Sequence, residues 1–323
     1  MSRYARQMIM PEFGETGQRK LRDARVVVVG AGGLGSPVLS YLAGAGVGQI
    51  AIIDPDSVEE SNLHRQPLFR MADIGKPKAQ AAAAAIAHYN PDVCVTAHAE
   101  RLEPANAAAL CDGADVVIDA ADSFAATYTL SDHCLASGQT LVSASVLGFT
   151  GYAGGYCGGR APSVRAVFPD LPRSAGDCAT AGVSGPAVGV LGSLQAQMAM
   201  NYLLGIAPSP LGIMIRVDLM RLSVSNFFFT DAGEPAEGLR FISASDLRPN
   251  DLLIDLRSTN EAPDPVAPQA LRTQADQVVN VVSNAAGRRV VLCCRSGLRA
   301  WNAALSLRQT GHEDLALIAA GPA

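Results

Sequence analysis

"RVVVVGAGGLGS" at residues 25–36 decides the fold of this chain. Its first part, "RVVVVG" at 25–30, is a short β-branched run of the kind carried by a strand buried on both faces of a parallel sheet. Gly30, Gly32 and Gly35 follow at G-x-G-x-x-G spacing, with Gly33 between them, and helical spacing runs from Ser36 to Ala45. Glycines there let the backbone approach a phosphate, and the unpaired N–H groups of a helix start attract an anion. Asp54, about twenty residues on at the end of "QIAIIDPD" (49–56), stands where an acidic side chain can accept ribose hydroxyls. Taken alone, the loop predicts a dinucleotide-binding domain, and an NAD-dependent oxidoreductase is the first reading.

Outward from the loop, "VCVTAHAE" (93–100), "ADVVIDAAD" (114–122) and "GQTLVSASV" (138–146) read as further strands. Helical stretches such as "KAQAAAAAIAHYN" (78–90) lie between them. This alternation predicts an α/β fold with a doubly wound, mostly parallel sheet. "IMIRVDLM" and "LSVSNFFF" supply a last strand pair, and "TDAGEPAEG" at 230–238 has the Gly, Pro and acidic composition of a linker. The expected division is therefore 1–230, a linker at 231–238, and a short second α/β unit at 239–323. In that unit "DLLIDLRS" and "RRVVLCC" read as strands, "PQALRTQADQVVNVVSN" (268–284) has helical spacing, and a helix is expected over Leu298–Gln309.

At 323 residues and 49% hydrophobic composition the chain can fill two cores. A net charge of -5, with 25 Lys and Arg scattered along the sequence, argues against a nucleic-acid partner. "MSRYARQMIM" does not read as a signal peptide, and the apolar region 181–206 is broken by Ser, Gln, Asn and Gly, so it reads as a buried helix and not a membrane span. A cytoplasmic protein is expected, and most of its seven cysteines then read as core residues.

The residues beyond the glycine loop weigh against a dinucleotide. "DPDSVEESNLHRQ" (54–66) places Asn62, Arg65 and Gln66 just past the second strand, and "IGKPKAQ" (74–80) adds Lys76 and Lys78. A nucleoside triphosphate carries about four negative charges, which must be neutralised before a carboxylate can approach its α-phosphate. Asp122, at a strand's C-terminal end, lies where open α/β sheets bind ligands and can hold Mg²⁺.

"RYARQ", "GAGGLGSP", "DPDSVEESNLHRQ", "GKPKA", "DAADS" and "DCATAGVSGPAVGVLGSLQA" closely resemble the ThiF/MoeB/HesA family. These are the ubiquitin-activating-type (E1-like) adenylyltransferases of the bacterial thiamine and molybdopterin pathways, and the resemblance covers about residues 2–228. It implies a Rossmann-like adenylation fold that uses ATP and Mg²⁺ to adenylate the C-terminal glycine of a ubiquitin-like sulfur carrier protein ending in Gly-Gly. It assigns the glycine loop and Asp54 to the adenosine portion of ATP and Asn62, Arg65 and Lys78 to the phosphates, with Asp56 and Gln66 also at the ATP site. Asp122 would serve Mg²⁺ and the reacting carboxylate. Arg6 matches an arginine that reaches ATP from the other subunit, which implies a homodimer.

Many members of this family hold a structural zinc between two C-x-x-C pairs. Here "PSVRAVFP" (162–169) carries Ser163 and Ala166 at the first pair's positions, and "NFFFTDAGEPAEG" carries no cysteine, so no zinc is expected. Cys157, in "GYCGG", reads as structural. Cys178, in "GDCATAGVSGP", stands where thiamine-pathway relatives carry a cysteine that can bond covalently to the carrier; a loop or core thiol without chemistry is the equal alternative.

Residues 239–323 resemble a short, divergent rhodanese domain. "LLIDLRSTNE" matches its opening strand and D-x-R-x-x-x-E feature, and "CRSGLRA" (294–300) its loop with a persulfide-bearing cysteine. Successive N–H groups leading into a helix stabilise a thiolate or persulfide, and Arg295 and Arg299 add positive charge, with Gly297 between them. Cys293 is expected to end the strand and Cys294 to open the loop as the reactive thiol. Together the two halves imply adenylation followed by persulfide transfer to form a thiocarboxylate, with sulfur from a cysteine desulfurase or thiosulfate. The rival readings are the NAD-dependent oxidoreductase and a non-catalytic carrier-binding scaffold.

Overall fold

Strand β1 (Arg25–Val29) is the centre from which the main sheet grows. Its residues alternate between two cores: Val26 and Val28 face one, Val27 and Val29 the other, and all four are buried. A strand covered on both sides needs apolar residues at every position, which is why the run is continuous. The computed structural model describes residues 3–159, 161–171, 182–236, 238–282 and 287–321.

Helices α1 (Ala5–Met8) and α2 (Gly14–Asp23) precede β1, and α3 (Gly35–Ala45) follows it. Then come β2 (Gln49–Ile53), α4 (Lys78–Tyr89), β3 (Cys94–His98), α5 (Pro104–Cys111), β4 (Val116–Asp119), α6 (Phe124–Ser137) and β5 (Thr140–Leu147). Strands β6 (Thr150–Cys157), β7 (Ile213–Asp218) and β8 (Ser223–Phe228) complete one sheet, with α7 (Val164–Val167) and α8 (Gly185–Leu204) between β6 and β7. The order is β3-β2-β1-β4-β5-β6-β7-β8, parallel from β3 to β5 and antiparallel from β5 to β8. The strand order reverses between β1 and β4, and that switch point is where such sheets open a ligand crevice.

The expected strands form, and α8 is the buried helix expected within 181–206: Val188, Leu191, Ala196 and Ala199 lie in the core beside α3. Strand β6 was not expected, because "TGYAGGYC" is glycine-rich. A Cβ on Gly151 would collide with Leu191 and the Ser145 carbonyl, and one on Gly155 with the Pro210 carbonyl. Glycine is needed there for close backbone approach, at the expense of the pattern that marks a strand.

The second sheet is all parallel: β9 (Arg240–Phe241), β10 (Leu252–Asp255), β11 (Leu271–Arg272), β12 (Val290–Cys294) and β13 (Leu315–Ala319), in the order β11-β10-β12-β13-β9. The helix expected over 268–284 is a correction. Ala267 and Ala270 cover one face of the sheet, β11 pairs at its edge, and among the described residues the helical part is a 3-10 turn (Ala275–Gln277) leading into the short α9 (Val278–Val282), on the other face. The apolar spacing is satisfied on two faces of a sheet and not on one helix face. Helix α10 (Leu298–Gln309) forms with the expected bounds.

The two sheets share a core. Ala125 and Tyr128 of α6, with Leu171, pack among Phe241, Leu292, Cys294 and Trp301. The Tyr128 and Trp301 rings meet edge to face at 5.4 Å, and the Arg165 guanidinium lies 4.6 Å from the Tyr128 ring centre while pairing with Asp132. The segment read as a linker is anchored: Phe229 and Ala232 pack on the main sheet, and Leu239 is buried in the shared core. No helix among the described residues is long and apolar enough to cross a membrane.

Where the resemblance would place the first zinc ligand, Ser163 donates through its backbone N–H (2.7 Å) and hydroxyl (2.6 Å) to the Glu234 carboxylate, and its hydroxyl also caps α7. Among the described residues no cluster of three or more His, Cys, Asp or Glu could hold a metal. The Ser163 and Glu234 contacts tie the start of α7 to the segment that follows β8. Glu234→Ala is therefore expected to lower unfolding free energy by about 1–2 kcal/mol, read from the urea midpoint at unchanged slope.

Candidate active site

The end of β1 runs directly into the glycine loop. Gly30 has φ +96, and a Cβ there would sit 2.5 Å from the Ala120 carbonyl oxygen just past β4. A Cβ on Gly35 would collide with the Gly30 carbonyl, and one on Gly33 would fall 2.7 Å from Val188 Cγ1. Gly30 is pressed against the backbone after β4, Gly35 against the loop's own Gly30 carbonyl, and Gly33 against Val188 of α8. Helix α3 then starts without a side-chain cap; the Ser36 N–H donates to the Gly32 carbonyl at 2.9 Å and Pro37 has no N–H, so the N–H groups that can meet a ligand are those of the glycine loop before Ser36.

Asp54, only 4% exposed, is held beneath this loop: the N–H of Ala31 donates to one oxygen at 2.7 Å and that of Asp56 to the other at 2.8 Å. Burial raises its carboxyl above the ordinary value, against the opposing charge of Lys78 and these two N–H groups. Gln66 is buried with its Oε1 unpaired among the described residues, and its Nε2 lies 3.5 Å from where a Gly32 Cβ would be. The Arg65 stem lies 3.8 Å from the corresponding point on Gly33, and its guanidinium donates to the Ser61 carbonyl. Asn62 is buried in the same short turn. Lys78, buried at the start of α4, pairs with Asp56 at 2.9 Å. The basic residues of "SNLHRQ" and "GKPKA" thus line the approach to the loop, while Lys76 points away to an exposed pair with Asp73.

Asp122 lies three residues beyond β4, exposed and without a side-chain partner among the described residues. Sequence reasoning missed the group that shapes its turn. Asp119 is fully buried, accepts the Ser143 hydroxyl at 2.7 Å and the Ala121 N–H at 3.2 Å, and pairs in register with Val29. The "DAADS" spelling contained it, but burial is not visible in a string. Burial pushes its carboxyl up to about 6, against hydrogen bonds from Thr127, Ser143 and Ala121. A carboxyl that binds its proton more tightly when folded favours the native state while protonated and loses that advantage as pH rises from its unfolded value toward 6. The shift is worth about 3 kcal/mol. Asp119→Asn is expected to flatten the decline of stability between pH 4 and 6, as read by denaturant unfolding.

Of the remaining candidates, Arg6 is exposed on α1 with no ion-pair partner among the described residues, and Cys178 lies outside the described residues. Cys157, with φ +52, is buried, and burial pushes its thiol up to about 12.

The second cluster surrounds Cys294. Strand β12 runs through Cys294, not ending at Cys293 as expected, and both cysteines are buried. They face opposite sides of the sheet: Cys293 packs with Leu253 and Ile318, Cys294 with Trp301 and Ala300. Only the Cys294 sulfur meets the loop, accepting the N–H of Gly297 at 3.1 Å and that of Ala300 at 3.4 Å. Gly297 has φ +88, and a Cβ there would fall 2.5 Å from the Phe241 ring. The D-x-R-x-x-x-E feature supports the loop from below. Arg257 forks onto Asp255, both buried, while Glu261 and the Leu256 carbonyl receive the Arg299 guanidinium. Arg295 is exposed and unpaired among the described residues. Burial pushes the Cys293 thiol up to about 12, which marks it as inert at neutral pH.

Residues 4–235 match the pattern of the ThiF family. The chain belongs to the ThiF family. The match covers the whole main sheet and ends before the second one. A protein of Yarrowia lipolytica named adenylyltransferase and sulfurtransferase UBA4 is 44% identical over 206 residues, covering 63% of this chain and 52% of its own. The SAMP-activating enzyme E1 of Haloferax volcanii is 41% identical over 225 residues, covering 69% and 83%. This ThiF-family chain spans about half the length of several of its curated relatives, UBA4 among them. The structure of E. coli MccB with ATP shares the fold, with a TM-score of 0.63 at 22% identity over 73% of each chain.

Proposed function

We propose that this chain uses ATP to adenylate the C-terminal glycine of a ubiquitin-like sulfur carrier protein and then transfers sulfur to it. The observation that carries the first step is the crevice at the switch point: a loop with close backbone or side-chain approach at Gly30, Gly33 and Gly35, its N–H groups ahead of Ser36, and the Gln66 amide Nε2 beside Gly32. These groups fit a nucleotide's phosphates. Arg65, Lys78 and Asn62 neutralise and orient them, and Asp54 orders the loop beneath. The relatives' names point to the same chemistry. The family supports no oxidoreductase reading.

A carboxylate is already ionised at neutral pH, so no strong base is required and the chain's work is positioning and charge neutralisation. An exposed, unpaired carboxylate with no preformed cage among the described residues suits Mg²⁺, which takes one or two protein carboxylates together with phosphate oxygens. Asp122 would hold it, and the ion when bound would neutralise phosphate charge there. Arg6 of a second copy would reach the same phosphates.

In the second step a persulfide on Cys294 attacks the acyl carbon, forming an acyl disulfide and releasing AMP. A dithiol reductant then cleaves the disulfide, leaving the carrier thiocarboxylate and the free Cys294 thiol while becoming a disulfide itself. The N–H groups of Gly297 and Ala300 support this anionic sulfur. The test is ATP–pyrophosphate exchange with a carrier ending in Gly-Gly: exchange that needs the carrier and stops when its last glycine is deleted supports the reading, and exchange indifferent to the carrier overturns it.

A further inference from the structure

Resting on the sulfur-transfer reading above, we propose that Arg101, which belongs to the adenylating half, completes the cationic rim of the Cys294 loop and receives the oxyanion end of a small dianionic sulfur donor of the thiosulfate class.

Arg101 lies between β3 and α5, far in sequence from the second sheet. Its guanidinium nevertheless packs directly against Gly321, at the place where a Cβ would be, and Gly321 has φ +76. Gly321 is part of the thiol loop's frame: its N–H donates to the Arg295 carbonyl at 2.9 Å, and the neighbouring Ala320 N–H donates to the Cys294 carbonyl at 2.9 Å. Ala319 pairs in register with Cys294, so their side chains share one face. The same Ala319 lies 3.6 Å from the Cβ position of Gly297, whose N–H donates to the Cys294 sulfur. Gly321 stands two residues beyond Ala319, just past the end of β13. Arg101 is thus brought to the rim of the loop at the C-terminal end of the second sheet. A second contact fixes this arrangement, because the Ala105 N–H donates to the Ser243 hydroxyl at 3.0 Å.

Charge then decides what the rim receives. Arg299 faces Cys294 from the first turn of α10 and has its charge partly met by Glu261, donating also to the Leu256 carbonyl. Arg295 has no side-chain partner among the described residues, and neither does Arg101, so two unpaired cations belong to the rim of the loop, Arg295 within it and Arg101 against Gly321. Two cations match a dianion whose reactive sulfur must point inward. The thiolate of Cys294 attacks the outer sulfur of thiosulfate, a new S–S bond forms, and the old one breaks with its electron pair leaving on sulfite. The total charge is unchanged and no proton or outside electron is needed.

The experiment uses the full chain and sodium thiosulfate, following persulfide on Cys294 by intact mass against thiosulfate concentration. Arg101→Ala is expected to raise the half-saturating concentration about tenfold, with a maximal rate near wild type and carrier-dependent exchange unchanged. Arg101→Lys is expected to recover most of the loss, and added salt to weaken wild type more than Arg101→Ala. A half-saturating concentration unchanged in Arg101→Ala overturns the proposal, as does a loss in maximal rate alone, which would indicate a structural role. Wild type that forms no persulfide with thiosulfate overturns it too. If a persulfidated protein donor then charges Cys294, the sulfur-transfer reading survives, and if neither donor does, that reading falls as well.

Discussion

Asp122→Ala is expected to lower carrier-dependent ATP–pyrophosphate exchange by about 10²–10³-fold, with nucleotide binding far less affected. The position of Asp122 is the reason. It leaves β4 at the switch point, on a backbone that touches the glycine loop through Ala120, and its carboxylate has no described partner to occupy it. The turn that presents it is held by buried Asp119 through the Ala121 N–H. Removing Asp122 takes away an exposed, unpaired carboxylate beside the glycine loop while leaving the loop, Asp54 and Gln66 in place. Exchange kinetics and nucleotide titration measured together separate the two effects. Exchange within a few-fold of wild type would remove Asp122 from the reaction.

Cys294→Ala is expected to abolish thiocarboxylate formation while leaving exchange within about twofold of wild type, because the two clusters share no hydrogen-bonded residue. Mass spectrometry of the carrier reads the first effect and pyrophosphate exchange the second. Cys293→Ala supplies the contrast. Its thiol faces the opposite side of the sheet among Leu253, Ala316 and Ile318, so its loss removes a small packing group and costs about 1 kcal/mol of stability with sulfur transfer retained. Thiocarboxylate formation that survives Cys294→Ala would move the transfer to another thiol. Loss of exchange in the same variant would show that the two steps are coupled through the shared core of α6 and α10.

Much of this was legible in one dimension because the features are local. The β1 run, the glycines after it and the "SNLHRQ" and "GKPKA" blocks state where the backbone must come close to a ligand and where charge must gather. "CRSGLRA" likewise spells a strand end, a loop of N–H groups and a helix start within seven residues. Each follows from the conformational freedom of glycine, the period of a strand or the chemistry of a side chain, and none needs a distant partner.

Tertiary structure decided what depends on partners remote in sequence. It placed β6 in the sheet despite its glycines, because neighbouring backbones demand them. It divided the apolar spacing of 268–284 between two faces of a sheet. Cys293 and Cys294 are adjacent and equally buried, and only the pleat of β12 gives Cys294 the N–H groups of Gly297 and Ala300. Burial made Asp119 a perturbed acid, and packing of the two sheets brought Arg101 to Gly321 across more than two hundred residues. The physical reason is the same in each case: a side chain's face, depth and long-range neighbours are set by how the sheets pack, and no local pattern encodes them.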